Sequence, residues 1–478
     1  MSNVEKDKSE KLSPLVNWLI LGTAALGFAF DIYELLMWPL VGPPAIAHFE
    51  NKVLGTPEGM KTVAYWMGIS QYLPAVCGGV FGLLGGWLTD RFGRRTVLTY
   101  SILLYAGATF AGGFAPNLWF LIVCRCFAFV GVCVEFVAAV AWLAELYSDP
   151  VEKERAIGFT QAFSSIGGLL VTVMYGGILM LTEYYPETFA RTDAWRYLLM
   201  SGLIPAIPLI VVRPFLPESP SWEQKSAEGT LKRPSILELF EPALLRTTIV
   251  STIMFACSYG IAFGAIQQLT QIVPAHKEVK EVLSKIKNPE ERYTEQQHYV
   301  KDVQLWQETG GLLGRFALAA VVMYLGSTPM VVRMFQVPAL IVVPLCFYFI
   351  PTNSLQYLEW MIAIVGFFVV AQFSFWGNYL PRVYPLHLRG TGESFAANIG
   401  GRMIGTMAAL ATSSLFGFLN PIATNVAAGA PPPPPAVPLA HCAAYVGTAI
   451  CVIGLIASLW LPSPEEDVDA KEDKKPGG

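Results

Sequence analysis

Long apolar runs recur along this 478-residue chain and limit what it can fold into more than any other feature. A helix needs roughly 20 mostly apolar residues to cross a lipid bilayer. The runs that charged residues, glycines and prolines separate predict twelve such segments, at residues 15–40, 63–88, 96–115, 117–144, 156–182, 195–216, 246–272, 306–326, 331–351, 356–380, 393–419 and 439–462. The first run is too long for a cleaved signal peptide and holds Asp31 and Glu34, so we expect it to remain in the protein.

The composition favours an integral membrane protein and excludes several other classes. Hydrophobic residues make up 54% of the chain and charged residues 14%, whereas a typical soluble domain has about 25% charged residues. A net charge of −4 offers no basic surface to nucleic acid. Because no run holds metal-ligand spacing, a nucleophile–base pair or a phosphate-binding loop, we expect neither an enzyme nor a bound metal or other cofactor.

Lysine and arginine are unevenly distributed among the loops. With the N-terminus in the cytoplasm, the inside segments hold most of them, and the short outside loops hold only Lys52, Lys61, Arg191 and Arg196. This bias predicts that both tails are cytoplasmic. The outside stretch 273–305 balances its basic residues with acidic ones, and we expect an external helical cap there. Short tails without a targeting signal favour an inner cell membrane.

A polar segment divides the chain into two halves that share a pattern. Tyr147 precedes Arg155-Ala-Ile-Gly in the first half, and Tyr384 precedes Arg389-Gly-Thr-Gly at the same place in the second. Such internal repeats are typical of transporters, whose substrate site lies near the midplane between the repeats. We therefore expect a tail, a six-helix bundle, a cytoplasmic linker, a second six-helix bundle and a tail, at residues 1–14, 15–216, 217–245, 246–462 and 463–478.

The loop after the second run carries a recognisable motif. Residues 85–95 read Gly-Gly-Trp-Leu-Thr-Asp-Arg-Phe-Gly-Arg-Arg. Asp90 is suited to capping a helix and Gly93 to a tight turn, while Arg91, Arg94 and Arg95 keep the loop inside the cell. The motif resembles the signature loop of the major facilitator superfamily. That resemblance implies an all-α integral membrane protein with twelve transmembrane helices in two pseudo-symmetric six-helix bundles, which rock around a central cavity.

Further segments resemble the sugar-porter and organic-ion-transporter branch of this superfamily. They are Pro-Glu-Ser-Pro-Ser-Trp with Glu218 after the sixth run, Glu145 with Arg155, and Arg389 after Tyr384. The resemblance implies that these residues form inner gate loops. Three departures argue against a hexose substrate. The loop after the eighth run lacks a second Asp-Arg-x-Gly-Arg motif, Gln267-Gln268 is not followed by Gly-Ile-Asn, and the C-terminus lacks Pro-Glu-Thr-Lys-Gly.

Ionisable residues inside the runs are the candidates for function, because each costs at least ~2.5–3.5 kcal/mol to insert. They are Asp31, Glu34, Arg125, Glu135, Arg315 and Arg402. Asp31 and Arg125 resemble the proton-coupling pair of the branch, and the run boundaries place them at nearly the same height. We predict proton coupling by Asp31, Glu34, Arg125 and Glu135. The alternatives are a permanent bridge between the first and fourth runs, a Glu34 that meets water, and a Glu135 that only packs.

A second set of residues predicts substrate binding. Arg402 resembles the anion-binding arginine of organic-anion carriers, and a guanidinium suits bidentate carboxylate recognition. A helix cap or a cytoplasmic gate is the alternative for Arg402, and pairing with Glu308 is the alternative for Arg315. The other predicted contacts are polar or aromatic residues, which lipid-facing or packing roles would equally explain: Tyr33, Gln267, Gln268, Trp376 and Asn378.

Three functions follow from these observations. The first is a secondary active transporter that moves a small organic acid anion by proton-coupled alternating access. The second is a sugar or polyol porter of the same fold. The third, from another class, is a membrane sensor that does not transport. We expect a monomer whose partners are a small solute, protons and membrane lipids.

Overall fold

The computed structural model describes residues 14–147, 156, 160, 163–219, 222–223, 227–228, 235–326, 328–385, 388–420 and 437–463. All regular structure in these ranges is helical, and sixteen α-helices are described. They are α1 (Pro14–Phe49), α2 (Pro57–Phe92), α3 (Arg94–Gly112), α4 (Leu118–Leu146), α5 (Ser165–Tyr184), α6 (Ala194–Ser201), α7 (Leu203–Val212), α8 (Pro242–Gly264), α9 (Leu269–Ile272), α10 (Lys277–Lys285), α11 (Pro289–Leu325), α12 (Pro329–Phe349), α13 (Leu355–Val383), α14 (Arg389–Phe395), α15 (Ala408–Leu419) and α16 (Leu439–Ala457). A π-helix, Ala396–Gly405, joins α14 to α15.

Within the described ranges, eleven helical stretches are long and apolar enough to cross a membrane. The twelfth expected span, α3, is not among them, because it begins with Arg94 and Arg95 and these lower its mean hydropathy. It nevertheless packs along α4 and against α7 like its neighbours. Large apolar side chains remain exposed on the outer faces, for example Phe127, Val173 and Ile453. A protein that spans lipid turns such faces outward, and the twelve-helix all-α expectation agrees with this arrangement.

The helix ends follow from local sequence. Asn117 begins α4 by accepting a hydrogen bond from the backbone N–H of Phe120 at 2.9 Å, and Thr56 caps α2 in the same way just before Pro57. The chain turns sharply between α2 and α3 at Gly93, whose φ of +86° lies in the region that favours glycine. The expected tight turn is therefore confirmed.

The helices form two packed groups that meet along two seams. In the N-terminal half α2, α3 and α4 pack together and α1 lies along α5; in the C-terminal half α11 packs on α13 and α8 on the π-helix. One seam joins α2 to α15 and the π-helix, and the other joins α5 to α11. The space between these seams holds the candidate site.

Helices α1, α2 and α11 are longer than expected, and the differences in α1 and α11 change where functional residues lie. Helix α1 continues to Phe49 through Pro39, Pro43 and Pro44, so Asp31 lies near the middle of its 36 residues. Helix α11 starts at Pro289 rather than at 306, so Glu308 lies well inside it. The stretch 273–305 is helical as expected, because α10 and the first part of α11 occupy it.

Candidate functional site

A cavity lies between the two halves, with about 1060 Å³ of empty space when the part open to solvent is counted. Side chains from α1, α4, α8, α11, α13 and the π-helix line it. Its aromatic wall consists of Phe28, Phe136, Phe255, Tyr259, Phe263, Phe373 and Trp376. Its polar groups are Asp31, Ser164, Gln267, Gln307, Glu308, Arg315, Glu393 and Arg402. An apolar cavity with a few polar anchors suits a small organic ligand.

Arg402 reaches across the cavity from the π-helix to the N-terminal half. Its Nη2 lies 3.7 Å from Oδ2 of Asp31 on α1, and its Nη1 donates to the carbonyl oxygen of Val132 on α4 at 3.0 Å. The guanidinium also lies over the ring of Phe136, 4.7 Å from its centre. Both charged side chains are 3% exposed. Arg402 therefore holds a buried ion pair between the two halves.

Small residues of the π-helix explain why Arg402 points into the cavity. Gly400 and Gly405 press against α8, where an added Cβ would lie 2.4 Å from the carbonyl oxygen of Thr252 and 2.4 Å from Cβ of Tyr259. Only glycine permits this approach. With these glycines on α8, the side chain of Arg402 reaches the N-terminal half, where it binds Val132 of α4.

The structure corrects the expected pairing of Asp31 with Arg125. Arg125 donates to Oε1 of Gln71 at 3.3 Å and lies 4.7 Å from the ring centre of Trp38. The run boundaries gave the wrong height, because α1 extends beyond residue 40. Arg402, which contacts Asp31, also binds the carbonyl oxygen of Val132, and Val132 is seven residues beyond Arg125, or about 10 Å along an α-helix.

Glu34 is the acid that accompanies Arg125. Its Oε2 accepts a hydrogen bond from Thr109 Oγ1 at 2.7 Å, and Arg125 acts on it electrostatically. Both residues line a smaller cavity inside the N-terminal half, separate from the central one. Glu34 and Asp31 are three residues apart, yet they serve different cavities.

Glu135 forms an ion pair that the sequence analysis did not foresee. Its Oε1 accepts from Nη2 of Arg213 at 2.5 Å, with both side chains at most 3% exposed. The pair lies against Gly27 of α1, one turn from Asp31, and an added Cβ there would meet both side chains. Glu135 also acts electrostatically on Asp31. It is thus neither isolated nor simply a packing residue.

The predicted substrate contacts divide into two groups. Trp376 and Gln267 line the cavity, and Trp376 Nε1 donates to Ser258 at 3.2 Å. Gln268 instead donates to the carbonyl oxygen of Phe263. The Tyr33 hydroxyl bonds to Ser201 at 2.8 Å inside the N-terminal half. Gln268 and Tyr33 are therefore not among the residues that line the cavity, and both are held by other hydrogen bonds. The side chain of Asn378 lies outside the described residues.

Two ionisable residues on α11 also belong to the site. Glu308 and Arg315 both line the cavity and are 5% and 8% exposed. Arg315 Nη1 donates to Ser164 Oγ of the N-terminal half at 2.8 Å. The sequence signal was present, since both are ionisable residues in an apolar helix. Glu308 is not among the predicted site residues because the run 306–326 places it at the edge of the span, whereas α11 begins at Pro289.

Glu218 binds the signature loop at the first residues of α3. Glu218 accepts hydrogen bonds from the backbone N–H groups of Arg94 at 3.0 Å and Arg95 at 3.1 Å. A carboxylate at a helix N-terminus satisfies free donors and the helix dipole. Arg94 Nη2 also binds Glu145 at 2.7 Å. The structure thus brings together four of the predicted gate residues, Arg94, Arg95, Glu145 and Glu218.

The remaining gate residues are placed only in part. Arg91 lies over Trp87, 5.1 Å from the ring centre. Gly93 lies against Glu218, and an added Cβ would be 2.6 Å from its Oε2. The backbone of residue 90 belongs to the last turn of α2, and the carboxylate described at the start of α3 is that of Glu218. Arg155 and the side chains of Asp90 and Arg389 lie outside the described residues.

A charged cavity between two membrane-spanning helical halves defines a membrane transporter. The sequence model described as Major Facilitator Superfamily matches residues 19–409. The chain belongs to that superfamily. The predicted family and fold, and the expectation of a transporter rather than an enzyme, are therefore confirmed.

The similar proteins have names that refer to different substrates. The sialic acid transporter NanX of Escherichia coli is 23% identical over 240 residues, which cover 50% of this chain and 53% of NanX. The cis,cis-muconate transport protein of Acinetobacter baylyi is 24% identical over 344 residues, or 71% of this chain and 74% of that protein. The inward-open structure of the xylose transporter XylE from E. coli aligns with a TM-score of 0.59 at 18% identity, covering 94% of this chain and 98% of XylE. The last likeness concerns the fold alone.

Proposed function

We propose that this transporter moves an organic acid anion together with protons by alternating access. The observation that carries the proposal is the buried ion pair between Asp31 and Arg402, 3.7 Å apart, at the wall of the central cavity. A substrate carboxylate needs a cationic partner there, and Arg402 is the cation. Asp31 is the anion that competes with it.

The competition couples the two ions. While Asp31 is charged, it attracts Arg402 and weakens the binding of a second anion. When a proton neutralises Asp31, the guanidinium is available for a bidentate bond to a carboxylate. Proton and anion then bind cooperatively, since each favours the state that the other prefers. Because the pair joins α1 to the π-helix, the same exchange acts on the contact between the two halves.

The other predicted residues take supporting roles in this proposal. Glu135, with Arg213, sets the field around Asp31 from inside the N-terminal half. Glu34 and Arg125 are a second buried acid and base beside the smaller cavity. Trp376 and Gln267 contribute the aromatic and polar contacts to the substrate. Glu145, Arg155, Glu218 and Arg389, with the signature loop, form the inner gate.

The names of the relatives fit an acidic substrate. NanX is named for sialic acid and the Acinetobacter protein for cis,cis-muconate. Both names refer to organic acids. They support an anion as the substrate of this chain.

A sugar or polyol is the second candidate. Gln267 lines the cavity with Oε1 lacking a hydrogen-bond partner among the described residues, and an amide oxygen of this kind suits a hydroxyl donor. Other relatives are named as an inositol transporter and a galactose–proton symporter. If the substrate is neutral, the Asp31–Arg402 pair has no role in binding it.

The cellular setting belongs to the same proposal. The bias of basic residues supports a cytoplasmic position for both termini, and we propose an inner cell membrane as the location. We also propose a monomer whose bundles correspond to residues 15–216 and 246–462, linked by 217–245.

The test is thermal unfolding of the purified protein in detergent with carboxylates, sugars and polyols at pH 5.5 and 7.5. We expect carboxylates to raise the unfolding temperature, more at pH 5.5, and Arg402→Gln to abolish the rise. Arg333→Gln is the matched control, because Arg333 binds Ser458 away from the cavity. Stabilisation by neutral sugars alone would contradict the proposal and favour the second candidate.

A further inference from the structure

We propose that the substrate carries two anionic groups and that Arg315 on α11 binds the second. This inference rests on the proposed function and extends it from one anionic group to two. Arg402 is the first site, and a second buried arginine lines the same cavity. A cavity with two guanidinium groups in a mostly aromatic wall is suited to a dicarboxylate with an apolar spacer.

Arg315 has hydrogen-bonding capacity to spare. One nitrogen, Nη1, donates to Ser164 at 2.8 Å, and the guanidinium lies 5.7 Å from the ring centre of Phe373. Its Nε is buried and has no hydrogen-bond partner within the described part of the chain. A buried guanidinium with a free donor in a cavity wall is built to receive an acceptor.

Glycine packing fixes the direction of Arg315. An added Cβ at Gly310 would lie 2.0 Å from the carbonyl oxygen of Ala363, and one at Gly314 would lie 2.1 Å from that of Phe367. The glycine face of α11 therefore lies directly on the α13 backbone. Glu308 and Arg315 are seven residues apart, about two turns, so they share a face. The packing of α11 turns that face towards the cavity.

The neighbouring acid, Glu308, already contacts other groups of the protein, and this favours a ligand with negative charge. Glu308 Oε1 accepts a hydrogen bond from Gln304 at 2.9 Å. Its Oε2 is enclosed by α5, where an added Cβ at Gly168 would lie 2.1 Å away. Among the cavity-lining charged groups of α11, the atom without a hydrogen-bond partner within the described residues is therefore a donor, Nε of Arg315. An anion fits it better than an ammonium group.

In this proposal Glu308 has the same relation to Arg315 as Asp31 has to Arg402. It acts electrostatically on Arg315 from two turns away. Neutralising Glu308 with a proton would strengthen the binding of a second carboxylate to Arg315. Each carboxylate of the substrate thus has an arginine and a neighbouring acid.

The experiment compares ligands of one length and different charge. Aliphatic dicarboxylates of four to ten carbons, their monomethyl esters and the ω-amino acids of equal length are titrated against the purified full chain by calorimetry. The variants are Arg315→Gln, Arg315→Lys and Arg402→Gln, with Arg333→Gln as control. We expect the best dicarboxylate to bind at least ~10-fold more tightly than its monoester, the scale of a charge-assisted hydrogen bond. Arg315→Gln should reduce the dicarboxylate to the level of the monoester and leave the monoester unchanged, whereas Arg402→Gln should weaken both.

Several outcomes would overturn the inference. Equal binding of monoester and dicarboxylate by the wild-type protein would do so without any variant. So would tightest binding by the ω-amino acid, or an Arg315→Gln protein that weakens monoester and dicarboxylate alike, as expected if Arg315 only ties α11 to Ser164. Arg402-dependent monoester binding in those cases would leave the proposed function standing. Failure of all acids, with binding of neutral sugars, would overturn both proposals.

Discussion

Arg402 and Asp31 face each other across the boundary between the two halves, with 3.7 Å between Nη2 and Oδ2. The same guanidinium donates to Val132 on α4 and to Asn398 Oδ1 on its own helix. Neither carboxylate oxygen of Asp31 has a hydrogen-bond partner among the described residues. The pair is therefore held by charge rather than by close hydrogen bonds, which makes it open to competition from a substrate anion.

Replacing Arg402 tests that competition. Arg402→Gln removes the charge and keeps a hydrogen-bond donor, so we expect anion affinity to fall by ~10- to ~100-fold, the range for a hydrogen bond to a charged group. Fluorescence or calorimetric titration measures it. Arg333→Gln should bind anions like the wild type. Unchanged affinity in Arg402→Gln would remove Arg402 from the substrate site.

The glycine contacts of α11 predict a difference in stability. Gly314→Ala places a methyl group 2.1 Å from a backbone oxygen of α13, so we expect a cost of about 1–3 kcal/mol from overpacking. Gly177→Ala on α5 is the matched control, because an added Cβ there meets nothing within 4 Å. We expect that change to be neutral or to stabilise by about 0.5–1 kcal/mol. Thermal unfolding in detergent compares the two, and equal effects would contradict the described packing.

The Glu135–Arg213 pair predicts non-additive effects. Arg213→Leu leaves a buried carboxylate without its partner, which typically costs about 3–5 kcal/mol. The double variant Glu135→Gln/Arg213→Leu removes that charge, so its unfolding temperature should recover towards the wild type. A double variant as unstable as Arg213→Leu alone would show that Glu135 does not depend on Arg213.

Glu218 predicts a local effect at the start of α3. Glu218→Ala removes the acceptor for two backbone N–H groups, a change that typically costs ~1 kcal/mol at a helix N-terminus. We expect faster hydrogen exchange of peptides that contain Arg94 and Arg95. Glu238→Ala, in the capping box of a short helical turn before α8, is a control that should leave those peptides unchanged. Unaltered exchange in Glu218→Ala would exclude the cap.

Long apolar runs were sufficient to predict an all-α membrane protein, of which eleven membrane-spanning stretches are found within the described residues. The family prediction depended on the loop motif at residues 85–95. The sequence also identified Arg402, Asp31, Trp376 and Gln267, all of which line the cavity. Ionisable residues in apolar helices are costly, and this cost makes them conspicuous.

Partner assignment failed where it depended on helix ends. Helix α1 continues through three prolines, so the height of Asp31 relative to Arg125 was misjudged. Helix α11 begins in a charged segment, so Glu308 lies well inside it rather than near its start. The Glu135–Arg213 pair joins residues 78 positions apart. Neither spacing nor composition indicates such a contact, because only the folded chain brings Arg213, directly after α7, to Glu135 on α4.

The central claim is that protonation of Asp31 releases Arg402 for the anion. The most direct test is uptake of a bound carboxylate into proteoliposomes under an inward proton gradient, beside exchange of labelled for unlabelled anion without a gradient. For Asp31→Asn we predict that exchange continues and gradient-driven accumulation stops, since Arg402 is then free at every pH. Glu183→Gln, which alters a carboxylate bound to His298 away from the central cavity, should behave as wild type. Accumulation by Asp31→Asn at the wild-type level, or loss of exchange together with accumulation, would contradict the account.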